Sequence, residues 1–97
     1  MITSEQVRAA RALIRWEQRD LANASAVSLP SIKRLETSPG LLAAQPRTVA
    51  AIRAALEAAG VEFIPENGGG AGVRLRDRSG PYDKGKRTNE LDATNDD

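Results

Sequence analysis

The sequence predicts a mainly α-helical small domain: four to five short helices, then a short β-hairpin, then a polar tail. Three observations predict it. Apolar residues recur at helical spacing in successive stretches between Val7 and Leu56, each bounded by capping or turn residues. The period then shortens around Asn67-Gly68-Gly69-Gly70, where two short β-prone runs flank turn material. From Asp77 onward Gly, Ser, Asp, Asn and Lys dominate, and Leu91 is almost the only large aliphatic residue.

The first helix opens on Thr3 and Gln6, which have capping-box spacing, and is expected to run through about Arg15. Val7, Ala10 and Ile14 line its inner stripe, with Leu13 at the edge, and Arg8, Arg11 and Arg15 lie on an adjacent stripe. Trp16 is expected to cover the junction to a second helix, about Gln18 to Ala24. Ser28 caps a third, 28–36, with Pro30 in its first turn, where a missing N–H costs least. Thr37-Ser38-Pro39-Gly40 ends that helix by turn chemistry. Leu41 to Gln45 is a loop with room for one further helical turn. Pro46 suits the first position of a long helix ending near Ala59, with Gly60 as its stop. Val49, Ile52 and Leu56 on that helix complete the core. Val61 to Pro65 and Val73 to Arg76 form the hairpin.

Three regions follow: a helical domain over 1–60, the hairpin over 61–76, and a tail over 77–97 read as disordered. A chain of 97 residues has room for one core. One Trp, one Tyr and one Phe leave that core to Ala, Leu, Ile and Val.

Composition narrows the chemistry. There is no Cys and no His, which excludes disulfides and Cys- or His-based metal sites. No acidic pair is placed as an acid and a base, so the chain is not expected to be an enzyme, and no cofactor is expected. The Asn67–Gly70 run lacks the Gly-Lys-Ser/Thr ending and following helix of a phosphate loop. No apolar run approaches the roughly 18 residues of a membrane span, and the N-terminus lacks a signal-peptide stretch. The simplest expectation is a cytoplasmic protein. The net charge of +1 conceals an asymmetry: ten basic against seven acidic residues over 1–76, and four against six over 77–97. A modestly basic folded part can meet a polyanion.

The richest stretch is Gln18 to Glu36, QRDLANASAVSLPSIKRLE. Leu21, Ala22, Val27, Ile32 and Leu35 fall where two short helices joined by a tight turn need their inner face. Leu29, Pro30, Ser31, Lys33 and Arg34 are left for the outer face of the second of these helices. A short exposed helix with a polar, basic outer face fits the DNA major groove.

Residues 5–60 resemble the lambda-repressor-like, Cro/C1-type (xenobiotic-response-element) helix-turn-helix family. The resemblance is carried by Gln18 with Leu21-Ala22, Val27-Ser28, Ile32 and Leu35-Glu36, and by Ile52, Ala55, Leu56 and Gly60-Val61. The segment GVEFIPENGGGAGVRLR is similar to the extension of small stand-alone bacterial members. The resemblance implies a lambda-repressor-like helix-turn-helix bundle and a DNA-binding transcriptional regulator, a dimeric (auto)repressor of double-stranded operator DNA. It implies that Gln18 touches phosphate and braces the recognition helix, and that Leu29 and Pro30 hold the leading base-reading positions. Ser28 and Ser31 would contact backbone or bases, Lys33 and Arg34 would supply polar contacts, and Arg47 would approach phosphate or the minor groove. Arg11 and Glu36 match a pair that joins the first helix to the third in several members. The hairpin residues Val61, Phe63, Val73 and Leu75 are the expected homodimer contacts, by strand pairing or by packing across a two-fold.

Two departures stand out. Ala26 replaces the usual turn glycine, so a left-handed conformation there costs roughly 1 kcal/mol. Leu29 and Pro30 cannot make the bidentate hydrogen bonds that identify G or A, which leaves thymine methyls and DNA shape. They also motivate a rival: a protein-interaction module, antiactivator- or antitoxin-like, with this fold and no DNA binding.

Overall fold

The computed structural model describes residues 1–77 and contains four α-helices and one two-stranded antiparallel sheet. The helices are α1 (Ser4–Leu13), α2 (Gln18–Ser25), α3 (Leu29–Thr37) and α4 (Pro46–Ala58). The strands are β1 (Val61–Ile64) and β2 (Gly72–Leu75), paired with Val61 opposite Leu75 and Phe63 opposite Val73. No helix among the described residues is long and apolar enough to cross a membrane. The tail expected to be disordered lies, beyond Asp77, outside the described residues.

Each helix begins where its local chemistry allows. Thr3 Oγ1 accepts from the Gln6 N–H at 3.0 Å, and Gln6 Oε1 accepts from the Thr3 N–H at 2.9 Å, completing the capping box. Ser28 caps α3, and Pro46 opens α4 after Gln45. The end of α1 comes earlier than Arg15. Arg15 adopts φ 59, its N–H bonds Ala12 O, and the Trp16 N–H reaches back to Arg11 O at 2.9 Å. This Schellman closure turns the chain toward α2.

Leu41–Gln45 is a loop, as expected, and does not use its room for a further helical turn, so the described helices number four. Instead Leu41 bridges Thr3 in an antiparallel contact, with Leu42 N–H donating to Ile2 O and Ser4 N–H to Gly40 O. These bonds satisfy backbone groups on two irregular segments at once, which an isolated helical turn here would forgo.

The core contains Val7, Ala10, Leu21, Ile32, Leu35, Ile52 and Leu56 from the four helices, with Ile2, Ile14, Leu42, Val61 and Phe63 closing it. The hairpin is not free-standing. β1 lies on α4 and α1, and β2 on α1. Gln6 Nε2 donates to Gly72 O at 2.9 Å, so one buried amide caps α1 and anchors the hairpin. Arg53 sits over the Phe63 ring at 5.4 Å, a further tie between α4 and β1.

Candidate nucleic-acid interface

The turn between α2 and α3 is held without a glycine. Ala26 takes φ 62 and ψ 21, in the left-handed region that an L side chain pays roughly 1–2 kcal/mol to enter. Ser25 Oγ donates to Leu21 O at 2.7 Å and accepts from the Val27 N–H at 3.3 Å. A hydroxyl thus satisfies the backbone at the corner, while Val27 packs on the core.

Past the corner, Ser28 Oγ accepts from the Ser31 N–H at 3.3 Å and donates to Ser31 Oγ at 2.9 Å. These two serines are therefore engaged with each other as a cap. Ile32, Leu35 and Glu36 point inward, whereas Pro30, Lys33, Arg34 and Thr37 are exposed. Positions 30, 33, 34 and 37 form one stripe on a helix. It runs from an apolar first turn into two cations.

Leu29 and Ser31 depart from the sequence expectation of an open outer face. Both are half-buried, and Leu29 packs against the core cluster. A residue in the first turn of so short a helix lies close to the preceding helix, and here α2 covers one flank of it. A shallow groove of about 200 Å³ results, lined by Glu17, Gln18, Arg19, Leu29 and Lys33. The other flank of α3 borders a wider cleft of about 660 Å³ shared by Ser31, Arg34, Gln45 and Thr48. Arg47 is exposed between those last two, at the start of α4.

What fixes α3 is a polar knot on its inner side. Arg11 Nε and Nη2 donate to the two Glu36 carboxylate oxygens at 2.8 and 2.6 Å, and Arg11 Nη1 donates to Trp16 O at 3.0 Å. Gln18 Nε2 adds a third donor to Glu36 Oε1 at 3.1 Å. The Glu36 side chain is 4% exposed and that of Arg11 18%. Three donors on one buried carboxylate compensate much of its desolvation. Gln18 is accordingly occupied in bracing α3.

The structure brings Gln18, Leu29 and Lys33 to the groove on one flank of α3 and Arg34 to the cleft on the other, with Pro30 exposed in the first turn of α3; Arg47 is exposed and lines neither. Two further residues line these flanks without standing out in the sequence. Arg19 lines the groove beside Lys33, and its one signal is its place in the first turn after Gln18. Thr48 lines the cleft together with Ser31 and Arg34 of α3, which its own neighbours in sequence do not reveal.

The hairpin residues are placed differently from the expectation. Val61 is fully buried and Phe63 is 8% exposed, both within a single chain. Their side chains fill the protomer's own core. Alternate residues of an anchored strand must face the layer it lies on, and α4 is that layer. Val73 and Leu75 are half-buried against the same core. The clearest electrostatic feature outside the knot is also here: the Arg74 guanidinium, 3.0 Å from Glu62, holds that carboxyl below its usual range.

No protein-family model matches this chain, and no curated protein matches it.

Proposed function

We propose that the chain is a sequence-specific DNA-binding transcription regulator in which α2 and α3 act as a helix-turn-helix of the Cro/C1 type. α3 enters the major groove, and the protein works in the cytoplasm as a dimeric repressor, including of its own gene. The observation that carries this reading is the pairing of two features on one short helix. Its outer stripe offers Pro30, Lys33 and Arg34 to solvent, while its inner side is locked by the Arg11–Glu36–Gln18 knot. A rigid helix that presents cations outward and keeps its polar bracing inward suits insertion between phosphate backbones.

Within this reading the roles separate. Lys33 and Arg34 reach phosphates or base edges, and Pro30 offers apolar contact to a thymine methyl. Arg19 lines the groove beside Lys33, where a phosphate backbone flanking the major groove would run, and exposed Arg47 in the first turn of α4 would reach the other. Ser28 and Ser31, already paired as a cap, would contribute through the N-terminal end of α3. Phosphate contacts supply affinity, and few base-edge hydrogen bonds leave much of the choice to DNA shape.

The test is a binding titration of the chain with the DNA upstream of its own gene, repeated at several salt concentrations. With about six phosphates neutralised per dimer, log affinity falls against log salt with a slope near −5. Absence of a salt-sensitive complex, together with a stable heterocomplex with another protein, would replace this reading by the interaction-module one.

A further inference from the structure

We propose that the apolar groove between the N-terminal segment, the 41–46 segment and α4 is a self-association surface that joins two copies of this chain. The groove holds about 330 Å³, with Ile2, Leu42 and Val49 at its base. Met1 and Leu41 stand at its rim, 92% and 56% exposed, and are the large hydrophobic residues most open to solvent among those described. Single exposed apolar side chains are ordinary, but two beside an apolar groove make a contiguous patch.

The patch continues onto α4. Ala50 lines the groove, and Ala50, Ala54 and Ala58 are exposed one turn apart on the side opposite the buried Ile52 and Leu56. A face of alanines lets a second helix approach closely. A stable dimer removes roughly 800 Å² from each partner, more than a groove of this size offers, and the adjoining α4 face supplies the remainder.

Two features single out a second copy as the occupant. The first is shape: one patch carries both the protruding Leu41 and the groove that would receive it, as a two-fold contact requires. The second is charge. Arg53 borders the groove and Glu57 follows it one turn later, joined at 2.9 Å, each side chain 41% exposed. Two α4 helices packed antiparallel bring the cation of each toward the anion of the other, and the four charges alternate. A strongly acidic or basic partner would meet one of the two with like charge.

The position of the patch leaves α3 uncovered. Ala44 touches both the groove and the cleft beside α3, but Pro46 and Val49 lie on the groove side, whereas Gln45 and Thr48 lie on the cleft side. The 41–46 segment thus separates the two surfaces. This inference rests on the dimer of the proposed function and assigns it a surface, but its test needs no DNA and reads a face away from α3.

The test is sedimentation equilibrium of the full chain across micromolar to submillimolar concentration, with circular dichroism melts in parallel. The expected result is a reversible dimer that Leu41→Lys and Ala50→Glu each weaken by about tenfold or more while the melts stay unchanged. Arg53→Glu alone weakens it too, and the Arg53→Glu/Glu57→Arg exchange restores it. A wild-type chain that stays monomeric throughout overturns the proposal. So does a dimer unaffected by both Leu41→Lys and Ala50→Glu, which would move the contact elsewhere, for example to a hairpin edge. Dimerisation without DNA affinity would remove the DNA reading and leave this one intact.

Discussion

Arg11 and Glu36, twenty-five residues apart in sequence, share two hydrogen bonds of 2.8 and 2.6 Å across the α1–α3 interface. The bidentate geometry fixes α3 in rotation as well as in distance, because both carboxylate oxygens are held. Removing Arg11 strands a buried carboxylate with Gln18 as its remaining side-chain donor. Arg11→Ala is therefore expected to cost about 3–5 kcal/mol, and Gln18→Ala about 1 kcal/mol, since it removes one of three bonds. Urea unfolding of both variants, with the Arg11→Ala/Glu36→Ala pair as a cycle, measures this. Additive losses in the cycle would show that the pair is not coupled.

Ala26 offers a stabilising substitution. Its left-handed φ of 62 costs roughly 1–2 kcal/mol for a residue with a Cβ. Glycine removes that strain and adds about 0.4–1 kcal/mol of unfolded-chain entropy. The balance favours Ala26→Gly by several tenths of a kcal/mol to about 1 kcal/mol, visible as a raised melting temperature. Loss of stability would mean that the Cβ makes a contact worth more than the strain.

Gln6 separates two functions by the two ends of its amide. Gln6→Glu keeps an oxygen for the Thr3 N–H but loses the donor to Gly72 O, and sets a charge beside a carbonyl. The variant is expected to retain α1 and loosen the hairpin. Amide hydrogen exchange reads this out: protection falls across 61–64 and 72–75 and holds across α1. Equal loss in both regions would show that the capping box depends on the hairpin.

Acid should act on the hairpin through Glu62. Its carboxyl is lowered below 4.5, first by the hydrogen bond from Arg74 and then by the charge of Arg74. A depressed carboxylate contributes stability that is fully present above its unfolded value and is lost as the pH falls through its folded value. The contribution is therefore intact at neutral pH and disappears on acidification below 4.5. The effect is small because the pair is exposed. Glu62→Gln should flatten this part of the acid transition, measured by melts over the acid range. An unchanged acid profile in that variant would assign the sensitivity to other carboxylates, Glu5 among them, which its own and the Gly40 N–H groups hold low.

Lys33 and Arg34 have exposed side chains outside the Arg11–Glu36 knot, so Lys33→Ala/Arg34→Ala should melt like the wild type. If both contact phosphates, two from each protomer of the dimer, the salt slope of DNA binding falls in magnitude by about 3.6. If either reads a base, discrimination between operator and random DNA falls instead. Full retained affinity and slope would remove both residues from the proposed interface.

Most of the secondary structure was legible because its signals are local. Thr3 with Gln6, Ser28 before Pro30, Pro46 and Gly60 mark helix ends within a turn of the ends observed, and the helical period gave the inner faces of α1 to α4. The candidate site was legible in part. Pro30, Lys33 and Arg34 are exposed as their spacing requires, but Leu29 turned out to be half-buried, because what covers it is α2 rather than its own helix. The 41–45 segment is the loop its sequence predicts, but its partner was not legible for a related reason. It pairs with Ile2 and Thr3, and nothing within five residues of it announces a partner before the start of α1.

The sequence by itself thus determined where helices and strands begin and end, since caps, periodicity and turn residues act within a few positions along the chain. Its resemblance to a family with glycine at this turn also marked Ala26 as a strained corner, and the left-handed φ of 62 there agrees. Tertiary structure decided which polar atoms meet: the second bond of the Gln6 amide, the three donors on Glu36, and the burial of Val61 and Phe63 inside one chain. Those outcomes depend on elements separated by tens of residues arriving at contact distance. Hydrogen bonds and close packing discriminate over a fraction of an ångström, which no local pattern in the sequence specifies.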